Sequence, residues 1–458
     1  MVHQRHPPPR HRLLRLPRPG PHRLLAPIRA RGWPDFDRPR FPAGGVGDVP
    51  AAGRHQRRTR FHRLVHPVPP MRRDPLIIGG GPAGCAAAIT LARAGHRPTL
   101  LERTTGPTDK VCGDFLSLDT ILHARSFRVD PAALGAAPIG RVRLIHRDRV
   151  AETELPFPAF GLSRRTLDAA LLNRARDAGA IVRTGQTVRR LTRDGDAWTI
   201  EIAGQDAMSA ETVFLATGKH DLRGHARVWT GQGAVGLKTY LTLAPESARK
   251  LEGATELTLF PGGYAGMQCV ENGRVVLCIA VQQTAFLRYG GAWTGLTEAI
   301  GRHSPRFAAM LSGSHPLLHR PLAVAGVPYG YQARPGGLFR LGDQAAVIPS
   351  LTGDGMAIAL HSGQHAAEAW LANQVASTYQ RTLALTLAPQ MRLAGWLHRA
   401  GISAVVQAAS VPLMRFFPAL PRLAATRTRL PNPIRPTPIG PPPDPSRPSG
   451  RSSPHWAR

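Results

Sequence analysis

Leu76-Ile-Ile-Gly79-Gly80-Gly81-Pro82-Ala83-Gly84 is an apolar run that breaks into glycines, and Pro98-Thr-Leu-Leu-Glu102 is a second apolar run closed by an acid. Between them, Cys85 to Ala94 is alanine-rich and helix-forming, and Gly95 ends it. A strand, Gly-x-Gly-x-x-Gly, a helix and a second strand with an acid about 20 residues on make the βαβ unit that binds an adenine dinucleotide. Gly79 suits the tight turn, Gly81 lets the backbone approach a pyrophosphate, and Gly84 lets helix and strand pack closely. The helix start at Pro82 and Ala83 offers free N–H groups and the positive end of a dipole. Glu102 can accept hydrogen bonds from ribose hydroxyls, and Arg103 beside it is counted with the same cofactor site.

The net charge of +30 suggests nucleic acid until it is located. Residues 1–70 carry 15 Arg, no Lys and 3 acids, and residues 421–458 carry 7 Arg and one Asp, so +18 sits in two terminal segments. Residues 1–70 also hold 14 Pro and no sustained apolar period. Such stretches bury too little apolar surface to offset chain entropy. Met71 therefore reads as the natural start, with 1–70 a basic, disordered extension; a nucleic-acid partner is not expected. The Pro-rich 426–458 reads as a disordered tail. Cys85, Cys112, Cys269 and Cys278 follow no metal or disulfide spacing, which points to a reducing, cytoplasmic location. No apolar stretch reaches the ~18 residues of a membrane span, but the apolar segment Val411 to Leu420 allows a peripheral membrane contact.

Downstream, Leu338-Phe-Arg-Leu-Gly342-Asp343 is a strand ending in Gly-Asp, followed by Pro349, Gly353-Asp-Gly355 and an alanine-rich helix from Met356 to Leu371. An aspartate at a strand end can hold a polyol, and a glycine-rich helix start suits the negative edge of a reduced flavin. NAD needs only the first motif; FAD uses both.

These motifs resemble those of the superfamily of FAD-dependent aromatic hydroxylases and geranylgeranyl reductases, over about residues 74–375. Gly79, Gly81, Gly84 and Glu102 match its nucleotide motif, and Gly342-Asp343 its ribityl motif, with Pro349, Gly353 and Gly355 following. Arg164-Arg-Thr-Leu-Asp168-x-x-Leu171 resembles a helix start whose arginine lies by the FAD. Lys110-Val-Cys112-Gly113 is similar to a reductase-branch segment near the flavin ring, which makes Cys112 the candidate catalytic residue; a lysine beside it would lower the thiol pKa. One departure concerns the electron donor. The superfamily's Ala-Asp-Gly element, tied in the hydroxylases to FAD and NAD(P)H, here reads Ala216-Thr217-Gly218. The halogenase signature Trp-x-Trp-x-Ile-Pro is absent.

The expected fold is α/β: a Rossmann-like FAD-binding domain interleaved with an antiparallel β-sheet substrate domain and a helical C-terminal region. The FAD-binding domain takes 71–225, with a substrate-domain insertion near 140–160, and resumes at 331–375. The substrate domain takes 226–330, with helices over 284–315, and the helical region 376–425. Phe260, Tyr264, Met267 and Phe286 are pocket candidates that would serve equally as core. His361 and His365 stand at i and i+4 without a third ligand, so no metal is expected. The function expected is an FAD-dependent oxidoreductase that reduces an activated double bond in an apolar or aromatic small molecule, the donor open and NAD(P)H a candidate. The alternative is an FAD-dependent monooxygenase that hydroxylates an aromatic ring; a more distant one, a basic nucleic-acid-binding protein, would account for the charge but not for the two FAD motifs.

Overall fold

The computed structural model describes residues 73–430 apart from Gln232 and Pro418. The extension over 1–70 and the tail beyond Leu430 lie outside the described residues.

Leu76–Ile78 is buried on both faces, the mark of a central parallel strand. It pairs in parallel with Val213–Leu215 on one side and Thr99–Glu102 on the other, with Phe339–Arg340 and Ile181–Thr184 completing a five-stranded parallel sheet. Side-chain alternation with period two divides its contacts. Ile77, Leu100 and Phe214 enter a core shared with the helices Pro82–Arg93, Arg164–Asp177 and Gly355–Leu371. Leu76, Ile78, Leu101, Val213 and Leu215 meet Trp198 and Ile200 of a small antiparallel sheet, Val188–Asp194, Ala197–Ile202 and Met208–Ala210. Sequence reading missed that small sheet.

A nine-stranded sheet forms the second layer. It draws Ala234–Thr242, Ala254–Phe260, Gly263–Cys269 and Val275–Gln282 from the middle of the chain, and Ala137–His146 and Arg149–Gly161 from the stretch before helix Arg164–Asp177. One face packs on helices Gln283–Arg288, Trp293–His303 and Pro305–Leu311: Val235, Leu237, Leu277, Ile279, Phe260, Ala265 and Met267 point there. The alternate residues, Gly236, Lys238, Tyr264, Gly266, Gln268 and Cys278, therefore occupy the other face. Phe260 and Met267 are core, and Phe286 packs against it; of the four pocket candidates only Tyr264 faces the opposite way.

Helices Ala376–Ile402, Ala404–Phe416 and Ala419–Arg427 follow. Residues 426–430, expected in the tail, are folded. Leu430 is buried with its N–H donating to Asp119 at 3.0 Å, and Arg429 lies over the Phe157 ring and donates to Thr352 O at 2.9 Å. One apolar side chain and one arginine with buried partners carry the chain past the point where composition turns polar.

Candidate active site

The nucleotide turn sits at the carboxyl ends of the parallel strands, where ligands of open α/β sheets bind. Gly79 has φ +111°, and a Cβ there would stand 2.3 Å from Ala216 O. A Cβ on Gly84 would stand 1.9 Å from Gly79 O, so both positions are closed to any side chain by backbone. Gly81 differs: its Cβ would meet only an Arg164 Nη2, at 3.6 Å. It borders open space facing a cation. Helix Pro82–Arg93 begins with proline in its first turn and has no side-chain cap, so its leading N–H groups remain available for a ligand.

Glu102 is buried and accepts from Gly80 N at 2.7 Å and from Thr104 N and Oγ1 at 3.1 and 2.9 Å. Burial alone would push its carboxyl up; Lys110 and these hydrogen bonds outweigh burial and hold it below the usual range. Beside it opens a cavity of about 150 Å³ bordered by Gly80, Glu102, Thr104, Lys110, Asp168 and Arg176. A larger cavity, about 640 Å³, lies between Arg193, Glu211, Gly336 and Trp370. It reaches Val213 and Phe339 at the amino ends of their strands, away from the glycine turn.

Arg164, in the first turn of its Ser163-capped helix, grips Asp168 through Nε and Nη2 at 2.7 and 2.9 Å. Lys110 Nζ reaches the same carboxylate at 2.9 Å. Burial would lower the Arg164 pKa, but Asp168 more than reverses this and holds it above the ordinary arginine value. Arg165 instead pairs at the surface with Asp109. The lysine expected to activate Cys112 is thus directed at Asp168; the Cys112 thiol, half-buried, accepts from Asp114 N at 3.5 Å.

Beneath this loop lies a charge pair that sequence reading missed. Asp114, at φ +55°, receives Lys238 Nζ at 2.7 Å and Tyr240 Oη at 2.6 Å, and both members of the ion pair are fully buried. Lys238 also donates to Lys110 O at 3.1 Å, and Gln268 Nε2 to Gly113 O at 3.1 Å. The sheet face therefore fastens Lys110-Val-Cys112-Gly113 at both ends. Its signal was a single lysine in the apolar strand Ala234–Thr242, on the face opposite its leucines.

Gly342 and Asp343 close the parallel sheet. A Cβ on Gly342 would stand 3.2 Å from that of Ala83, which puts the two glycine motifs side by side. Asp343 pairs with Lys219 at 3.2 Å, and this carboxylate, ahead of opposing burial, raises the lysine pKa. Arg103 reaches His220 at 2.8 Å. Gln344 donates to Gly218 O and His220 O, so the departing Thr217 segment is woven onto the second motif. Pro349 is buried, and Gly353 abuts Phe115: a Cβ there would stand 2.7 Å from the ring. Gly355 opens helix Gly355–Leu371, which has no side-chain cap either. Ser350 Oγ lies 2.6 Å from both Tyr264 Oη and Tyr329 Oη, and burial raises both phenol pKa values.

His361 and His365 stack at 5.9 Å, with His123 against His361 at 5.7 Å. Burial lowers His361 to about 4 and His123 to about 3. Among the described residues no group of three or more His, Cys, Asp or Glu could hold a metal ion.

Two uncapped helix starts, a glycine cradle open only at Gly81, and Arg164, Lys110 and Lys219 around it fit a dianionic, elongated cofactor. Residues 72–214 match the family described as FAD binding domain. The chain is 26% identical to menaquinone reductase of Mycolicibacterium smegmatis, over 65% of this chain and 76% of that protein. It is 28% identical to digeranylgeranylglycerophospholipid reductase 2 of Methanopyrus kandleri, over the same shares. With protein FixC of Escherichia coli it shares 31% identity over 37% of this chain and 43% of that one. The flavin-dependent brominase Bmp2 has the same fold, with TM-score 0.65, 15% identity and coverage of 80% and 96%. A flavoprotein/dehydrogenase from Cytophaga hutchinsonii superposes with TM-score 0.61, 16% identity and coverage of 77% and 99%. The chain is an FAD-dependent oxidoreductase, similar in sequence to these reductases and in fold to the flavin-dependent brominase.

Proposed function

We propose that this oxidoreductase reduces an activated carbon–carbon double bond in an apolar small molecule, a reading supported by relatives that are named as reductases. Bound FAD supplies two-electron, hydride-transfer chemistry. In this reading Gly79, Gly81, Pro82, Ala83 and Gly84 receive the pyrophosphate, with Arg164 offsetting its charge. Glu102 and Arg103 serve the adenosine end. Gly342, Asp343, Pro349, Gly353 and Gly355 border the ribityl chain and ring, and Lys110, Cys112 and Gly113 form the wall beside the ring.

The observation that carries the reading is the double fastening of the Lys110–Gly113 loop, by Lys238 below and Asp168 beside. It holds the loop that carries Cys112 against the sheet face bearing Lys238, Gln268, Tyr264 and Cys278. Saturating a double bond needs a proton as well as a hydride. The Tyr264 and Tyr329 hydroxyls, whose pKa values burial raises, hold one at neutral pH, and Cys112 is the thiol of the fastened loop. An apolar substrate also accords with the peripheral membrane contact expected at 411–420 and with a cytoplasmic location.

Product formation by the pre-reduced enzyme with and without oxygen tests the reading. A reductase forms product anaerobically and loses yield to oxygen. Product that requires oxygen assigns the monooxygenase alternative instead.

A further inference from the structure

Among the described residues, fifteen large apolar side chains are exposed, and eight of them fall between Trp396 and Leu423. They are not scattered. In helix Ala404–Phe416, Val405, Ala409, Leu413 and Phe416 recur at i, i+4, i+8 and i+11, one continuous stripe, with Val405 78% and Phe416 80% exposed. The opposite side of the helix is engaged: Val411 and Met414 pack on Ala151, and Gln407 donates to Phe260 O at 2.8 Å. Leu420 and Leu423 extend the apolar surface along Ala419–Arg427.

Its charge is equally one-sided. Residues 371–430 contain seven Arg and no Lys, Asp or Glu. An apolar helix face whose own charged residues are all arginines, Arg429 alone among them ion-paired within the described residues, fits the boundary of an anionic bilayer, where the apolar groups enter the acyl region and the unpaired guanidiniums meet the phosphates. A second copy of this chain would bring arginines against arginines. The surface also adjoins the candidate site: His398 packs on Tyr329 at 5.1 Å, and Gly401 lies beside Leu351.

We propose that helices Ala404–Phe416 and Ala419–Arg427 dock the enzyme on anionic phospholipid membrane, lying in its surface. The docking rests on the reductase reading for its use, delivery of an apolar substrate, and on exposed side chains and charge for its existence. No described helix is long and apolar enough to cross a membrane, so the contact is peripheral.

Sedimentation of the FAD-loaded full chain with vesicles tests it, using phosphatidylcholine alone and phosphatidylcholine mixed with phosphatidylglycerol. The parent should bind the mixed vesicles and bind phosphatidylcholine more weakly. The double variant Leu413→Ser, Phe416→Ser should keep its FAD absorbance and bind the mixed vesicles about tenfold or more weakly. Equal binding by parent and variant would assign the attraction to basic segments elsewhere in the chain and overturn the proposal. Absence of parental binding would overturn it, as would a parental dimer that the double variant abolishes. Turnover of detergent-dispersed substrate, measured alongside, reports on the reductase reading separately: its loss in the parent sinks that reading and leaves the vesicle result standing.

Discussion

The glycine turn at 79–84 and the loop at 110–114 border the same crevice, yet they are built in opposite ways. In the turn, strand, glycines and helix are consecutive, and backbone atoms, of Gly79 itself and of Ala216 beyond the neighbouring strand, enforce its shape. The loop is held from afar. Its partners are Asp168, Lys238, Tyr240 and Gln268, 58 to 155 residues away in the chain, and the main one is a buried charge pair. In the proposed reading, cofactor binding rests on steric fit and ring-side chemistry on electrostatic fastening. The two should fail separately.

The largest effect belongs to Gly84→Val. Its side chain would meet Gly79 O at 1.9 Å from the Cβ onward, so the protein should fail to accumulate in folded form, whereas Gly81→Val should fold and lose FAD. Circular dichroism and visible absorbance of the two variants separate these outcomes; a folded Gly84→Val protein would break the steric half of the comparison.

Lys238→Met comes next. It leaves the fully buried Asp114 without its cation, a change that typically costs about 3–5 kcal/mol. Denaturant unfolding should show this loss, and adding Asp114→Asn should restore part of it. Full stability in Lys238→Met would mean that the loop needs no charge beneath it.

A smaller effect is expected at Asp354, which precedes helix Gly355–Leu371 and pairs with Arg429. Burial raises its pKa to about 7 against an ordinary 3.8, the arginine notwithstanding. A carboxyl held above its unfolded value makes ionisation unfavourable to folding, so the cost is complete above pH 7 and fades as pH falls toward 4. Asp354→Asn should thus gain more, relative to the parent, at pH 8 than at pH 4. Melting curves at both values check the sign, and an equal change at both would remove the titration argument. The mildest change is Glu102→Ala, which should weaken FAD binding by about 1–3 kcal/mol with the fold intact.

The same contrast explains what the sequence disclosed. The βαβ unit, the Gly342-Asp343 strand end and the antiparallel strands were readable, because each is a pattern of neighbours: period-two apolar runs, glycines at fixed offsets, an acid after a strand. Arg164 was singled out by the resemblance of its segment, through Asp168 and Leu171, to a known helix start. Lys219, Asp114 and Lys238 were not, because nothing near them in the chain announces a partner 124 residues away. The small sheet Val188–Asp194, Ala197–Ile202 and Met208–Ala210 escaped for a related reason. Its strands carry Arg, Asp and Glu on the exposed side, and Leu191, Trp198, Ile200, Ile202 and Ala210 mark the covered face too sparsely for a period to show. The folded stretch 426–430 was hidden by its composition; Arg429 and Leu430 find buried partners that composition cannot reveal.

Flavin content and anaerobic single turnover, measured on the same preparations of parent, Gly81→Val and Cys112→Ala, test the division between binding half and reacting half most directly. The parent should be yellow and form product without oxygen. Gly81→Val should be folded and colourless, and Cys112→Ala yellow, as stable as the parent to within about 1 kcal/mol, and slow. Cys112→Ala turning over at the parental rate, or losing its flavin together with Gly81→Val, would contradict the account.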